Sequence, residues 1–91
     1  MTVHDRLEAL AATAPARLAL TDEDRAGRDL VVMWMHDLGM RVDVDTVGNI
    51  TATWPPDATE APVMLGSHLD TVATAGRFDG ALGVLAGLEC V

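Results

Sequence analysis

A chain of 91 residues makes one small domain at most, and an apolar fraction of 49% belongs to a folded protein rather than a disordered one. The formal net charge is −8, and the basic residues are all arginines, scattered along the chain (Arg6, Arg17, Arg25, Arg28, Arg41, Arg77). That distribution lacks the basic patch nucleic-acid binding demands. The single cysteine, Cys90, excludes an internal disulfide framework, and no apolar run is long enough to span a bilayer. The N-terminus carries acidic residues early and lacks the cationic-then-apolar layout of a secretory signal, so the cytoplasm is the expected location. Without export, the glycosylation-like triplet Asn49-Ile50-Thr51 reads as turn chemistry.

Val3 to Ala12 reads as a short helix with Leu7 and Leu10 on one side, interrupted by Pro15. Thr21 followed by Asp24 is a capping-box-like helix start, and Asp22, Glu23 and Asp24 suit the positive end of a helix dipole. From there Ala26, Leu30, Met33, Trp34 and Leu38 recur at helical spacing until Gly39 supplies the stop. Met33 and Trp34 are expected in the core, and His4 and His36 on the surface.

The period then changes to two. Met40, Val42 and Val44 alternate with Arg41, Asp43 and Asp45, a strand whose polar face is solvated. Val47-Gly48-Asn49 makes a turn and Ile50 to Trp54 returns as a second strand, so a hairpin is expected. Trp54 is expected to pack at the strand end, before Pro55-Pro56-Asp57 breaks it. Pro62 to Leu69 reads as a third strand, and its run Val63-Met64-Leu65 suits one covered on both faces. Residues 70 to 79 form a loop, and Gly80 to Val91 start a helix. The fold class is α/β: two helices, a β-hairpin, a central strand and the start of a further helix.

Chemistry concentrates where the third strand ends. Gly66-Ser67-His68-Leu69-Asp70-Thr71-Val72 and the later Phe78-Asp79-Gly80 place an imidazole and two carboxylates between a strand and a helix. His68 and Asp70 are two apart, so an extended backbone points both to one side. A ligating histidine commonly hands its second ring N–H to a carboxylate, which Asp70 is near enough to provide. Asp79 precedes a helix, and Gly76 and Gly80 allow the loop to fold back toward His68. The plainer readings stand beside this one. His-x-Asp arises by chance, Asp79 suits a helix cap, and Asp-Gly is a common turn.

The longer pattern resembles the superfamily of metal-dependent peptidases and amidases that includes aminoacylases and carboxypeptidases. Phe78, Asp79 and the run Gly80 to Glu89 look most like its branch of N-carbamoyl-L-amino acid hydrolases, β-ureidopropionases and allantoate amidohydrolases. The segment from Arg17 to Met40 and Asp45-Thr46-Val47-Gly48-Asn49 follow the same order. The resemblance implies that residues 1–91 are an incomplete catalytic, metal-binding domain holding part of a two-metal site. It makes His68 a metal ligand, Asp79 the carboxylate bridging two divalent cations, and Asp70 the acid that orients His68. The cations are zinc, or manganese, cobalt or nickel, which share a taste for imidazole and carboxylate.

The implied reaction is hydrolysis of linear non-peptide C–N bonds in a small molecule by a metal-held water. The implied general base is a glutamate, and neither Glu60 nor Glu89 stands where it is expected; it and the remaining ligands are expected beyond Val91. A homodimer is expected for the complete protein, and no nucleic-acid or membrane partner. Ala73 and Ala75 depart from the pattern, where Pro and Gly are common. The alternatives are a peptidase or aminoacylase of the same superfamily, and a truncated, non-catalytic remnant.

Overall fold

The computed structural model describes residues 1–14, 16–74 and 76–91, so Pro15 and Ala75, with the expectations attached to them, lie outside the described residues. The elements in chain order are helix α1 (Val3–Thr13), helix α2 (Asp22–Asp37), strands β1 (Arg41–Val44) and β2 (Ile50–Thr53), and helix α3 (Ala81–Glu89).

Helices α1 and α2 start where side chains satisfy their free N–H groups. Thr2 and Asp5 form a reciprocal capping box at α1, Thr2 accepting from the Asp5 N–H and Asp5 from the Thr2 N–H. At α2, Thr21 accepts from the Asp24 N–H as expected, but the Asp24 carboxylate reaches one residue further back, to the Leu20 N–H at 3.1 Å. Gly39, at φ +78°, ends the α2 segment, a conformation that disfavours residues with a β-carbon.

Leu7 and Leu10 of α1, Val31, Trp34 and Met35 of α2, and Ala81, Leu85 and Leu88 of α3 form the core. Met40, Val42, Ile50 and Ala52 from the hairpin pack against it. The buried stripe of α2 is thus rotated from the expected one. Trp34 is buried, but Met33 is 49% exposed and Ala26 lies at the surface, while Gly27 and Val31 face inward. One step along a helix turns a side chain by about 100°, and here contact with α1 selects the neighbouring stripe.

β1 and β2 pair antiparallel in the register Val42 opposite Ala52 and Asp43 opposite Thr51. Asp43 is exposed as expected, whereas Asp45 builds the turn. Its carboxylate accepts from the N–H groups of Val47 and Asn49 and from the Asn49 side-chain amide. Those bonds, the Asn49 side chain first, hold the Asp45 carboxyl below its ordinary value of 3.8. Arg28 of α2 donates to the Gly48 carbonyl and ties the turn to the helix. Trp54 does not pack at the strand end; it is 57% exposed.

The expected third strand is corrected. Among the described residues, 62–69 pairs with no strand, and Val63, Met64 and Leu65 are exposed rather than covered. A strand exists through its ladder, and this segment forms none. α3 also begins later than expected, at Ala81, with Gly80 as its N-cap.

Candidate metal centre

The segment carrying His68 and Asp70 is fixed from below. Arg17, in the connection between α1 and α2, is 2% exposed, and its N–H donates to Thr71 Oγ1 at 2.8 Å. The Thr71 N–H returns a bond to the Arg17 carbonyl at 2.7 Å. The Arg17 guanidinium, through Nε and Nη2, donates to the Leu69 carbonyl at 3.3 and 3.2 Å. The backbone on either side of Asp70 is therefore clamped.

His68 and Asp70 meet as the spacing predicts. His68 Nδ1 lies 3.0 Å from the Asp70 backbone carbonyl and 3.4 Å from Asp70 Oδ1. A carbonyl only accepts, so the bond requires the proton on Nδ1 and leaves the Nε2 lone pair to face a cation. The carbonyl is the nearer partner, and the carboxylate adds negative charge beside the ring.

Asp79 arrives through a tight reversal. The Ala81 N–H donates to the Asp79 carbonyl at 2.9 Å around Gly80, whose φ of 74° and ψ of −54° make a γ-turn suited to glycine. Gly80 lies directly on His68. A β-carbon built there would fall 2.3 Å from the imidazole Cε1 and 2.6 Å from the His68 carbonyl. The chain neighbour of Asp79 thus touches the imidazole. The helix-cap reading of Asp79 fails, because Gly80 is the N-cap and α3 has no side-chain cap bond. Arg77 holds the loop to α1 through a 2.6 Å ion pair with Glu8.

His68 and Asp70 line an open cleft of about 270 Å³, with Arg28, Asn49 and Ser67 on its walls; Asp79 does not line it. Among the described residues, no three His, Cys, Asp or Glu side chains converge on one point. The donor set nevertheless fits a divalent cation. His68 is about half exposed with its second ring nitrogen unengaged, and the exposed Asp79 carboxylate has no hydrogen-bond donor among the described residues. Imidazole and carboxylate together suit zinc, manganese, cobalt or nickel. Arg17 and Thr71 escaped the sequence reading. The available signal was Gly27, a glycine inside a helix, which makes room for a neighbouring side chain.

Residues 49–91 match the profile of peptidase family M28. An N-carbamoyl-L-amino-acid amidohydrolase of Rhizobium meliloti is 50% identical over 78 residues, covering 82% of this chain and 18% of that protein. Allantoate deiminase 1 of Glycine max is 42% identical over 64 residues, covering 69% of this chain and 13% of that protein. Among solved structures, a hydantoinase/carbamoylase family amidase from Burkholderia ambifaria superposes with a TM-score of 0.80 at 49% identity, over 98% of this chain and 24% of that one. The chain therefore spans about a fifth or less of the length of these curated relatives.

Proposed function

The chain belongs to the metal-dependent peptidase and amidase superfamily, in its branch of hydantoinase/carbamoylase amidases, and from that premise we propose that it forms part of an amidohydrolase acting on linear, non-peptide C–N bonds. N-carbamoyl amino acids, ureido acids and allantoate are the proposed substrates. The observation that supports this reading is the contact of His68, whose Nδ1 lies against Asp70, with Gly80, the chain neighbour of Asp79.

His68 would bind one cation through Nε2, and Asp79 would be the carboxylate shared between two, zinc being the first choice. Bound cations supply Lewis acidity toward the substrate carbonyl and lower the pKa of water. Asp70 keeps the proton on Nδ1 and fixes the ring's orientation. Two ligands fall short of the three or so a catalytic zinc takes from protein. The remaining ligands and the glutamate that moves the proton are assigned to sequence outside these 91 residues, which alone are expected to be inactive. Among the described residues no helix is long and apolar enough to cross a membrane. A cytoplasmic homodimer that binds no nucleic acid completes the proposal.

The test is a substrate panel on the full-length protein after chelation and metal return. Metal-restored turnover of N-carbamoyl amino acids or allantoate is expected, with dipeptides and N-acyl amino acids left intact. The match to an M28 peptidase profile favours the second reading, a peptidase or aminoacylase, and turnover confined to dipeptides or N-acyl amino acids would establish it.

A further inference from the structure

We propose that Arg17 is a positioning residue for the metal centre, setting the height of His68 and Asp70 against the Gly80 turn through the Leu69 carbonyl and Thr71. The proposal rests on the metal reading above and adds a residue that touches neither cation nor substrate.

Three observations carry it. First, the carbonyl that takes the guanidinium belongs to Leu69, which sits between His68 and Asp70, so any shift of that peptide moves both side chains. Second, the reciprocal Arg17–Thr71 pair fixes the backbone immediately after Asp70, and its partners are 54 residues apart in sequence. Third, α2 makes room for the arrangement. A β-carbon on Gly27 would lie 2.7 Å from Arg17 Cδ, and glycine inside a helix costs about 1 kcal/mol relative to alanine. Burial of Arg17 pushes its guanidinium below its ordinary value, while the buried Asp24 opposes that shift. A cation buried at this cost needs its hydrogen bonds, and it directs them at the carbonyl of the single residue between the two site residues.

Lysine keeps the charge but not the planar fork, so Arg17→Lys isolates geometry from charge. Thr71→Val removes the hydroxyl that takes the Arg17 N–H, and Thr71→Ser keeps it. Arg6→Met is the control for plain destabilisation. Arg6 is also a buried arginine, but it pairs with Glu89 at 3.3 Å and lies over Trp34, among the helices.

The experiment is cobalt(II) titration of the full-length protein, reading the dissociation constant and the visible d–d bands well below each variant's melting temperature. Arg17→Lys and Thr71→Val are expected to weaken cobalt binding about tenfold to a hundredfold, the range for residues that support ligands, and to shift the bands. Thr71→Ser and Arg6→Met are expected to bind as wild type. Wild-type affinity and spectra in Arg17→Lys and Thr71→Val, with binding lost in His68→Ala, would overturn the positioning role and leave the metal reading standing. Unchanged binding in His68→Ala would remove the metal reading and this proposal together.

Discussion

The α-carbon of Gly80 lies so close to the imidazole of His68 that no β-carbon fits between them. The same residue turns the chain at a positive φ, so one glycine both reverses the loop before α3 and seats the ring. Gly80→Ala therefore meets two penalties. The strained turn alone costs about 1–3 kcal/mol, and displacement of His68 adds to it. A fall in urea midpoint together with weakened metal retention in the full-length protein is expected. An unchanged midpoint would show that the turn is easily remade.

His68 and Asp79 are exposed, so removing them should cost function and spare the fold. His68→Ala and Asp79→Ala are each expected to abolish metal-dependent turnover in the full-length protein while shifting stability by no more than about 0.5 kcal/mol. Turnover retained in both variants would refute their assignment as ligands.

The hairpin turn should loosen in acid. A carboxyl whose proton affinity is lower in the folded turn than in the unfolded chain adds stability above pH 3.8, and that stability is lost as pH falls below 3.8 through the depressed folded value. Hydrogen-exchange protection of the Asn49 amide, which donates to Asp45, is expected to decline in that window. In Asp45→Ala the amide should be unprotected throughout, with no titration there.

On α3 the two faces should respond differently to truncation. Leu85 is fully buried, and Leu85→Ala is expected to cost about 2–5 kcal/mol. Leu82, three residues earlier, is 46% exposed, and its replacement by alanine should cost far less. Denaturant unfolding of the two variants side by side checks the orientation of the helix.

Local rules carried the sequence reading where local chemistry decides the outcome. Thr21 before α2, Gly39 after it and the Val42/Ala52 hairpin all follow from neighbouring side chains and backbone geometry. The His68–Asp70 pair was legible for the same reason, since a spacing of two leaves little freedom. Tertiary contact decided the rest. Which stripe of α2 faces inward depends on α1, so Met33, expected in the core, is half exposed while Val31 is fully buried. The 62–69 segment has strand-like residues, but a ladder needs a partner, and periodicity cannot supply one. Asp45 is exposed as expected, but alternation ignores the turn that its carboxylate organises. The Arg17 clamp joins residues 52 to 54 positions apart, and no pattern within a short window reports such a pair.

The bare segment from Ala61 to Gly66 has a colloidal consequence. Six residues without a charge, three of them large, apolar and exposed, form a sticky template whose backbone groups seek a second strand. What keeps neighbouring molecules apart is the acid around it, with Asp57 and Glu60 on one side, Asp70 on the other, and an overall charge of −8 at neutral pH. That repulsion vanishes near the isoelectric point of 4.4, so turbidity should rise steeply as the solution is acidified toward it. A charge placed within the segment, as in Met64→Glu, should keep the solution clear through the same titration.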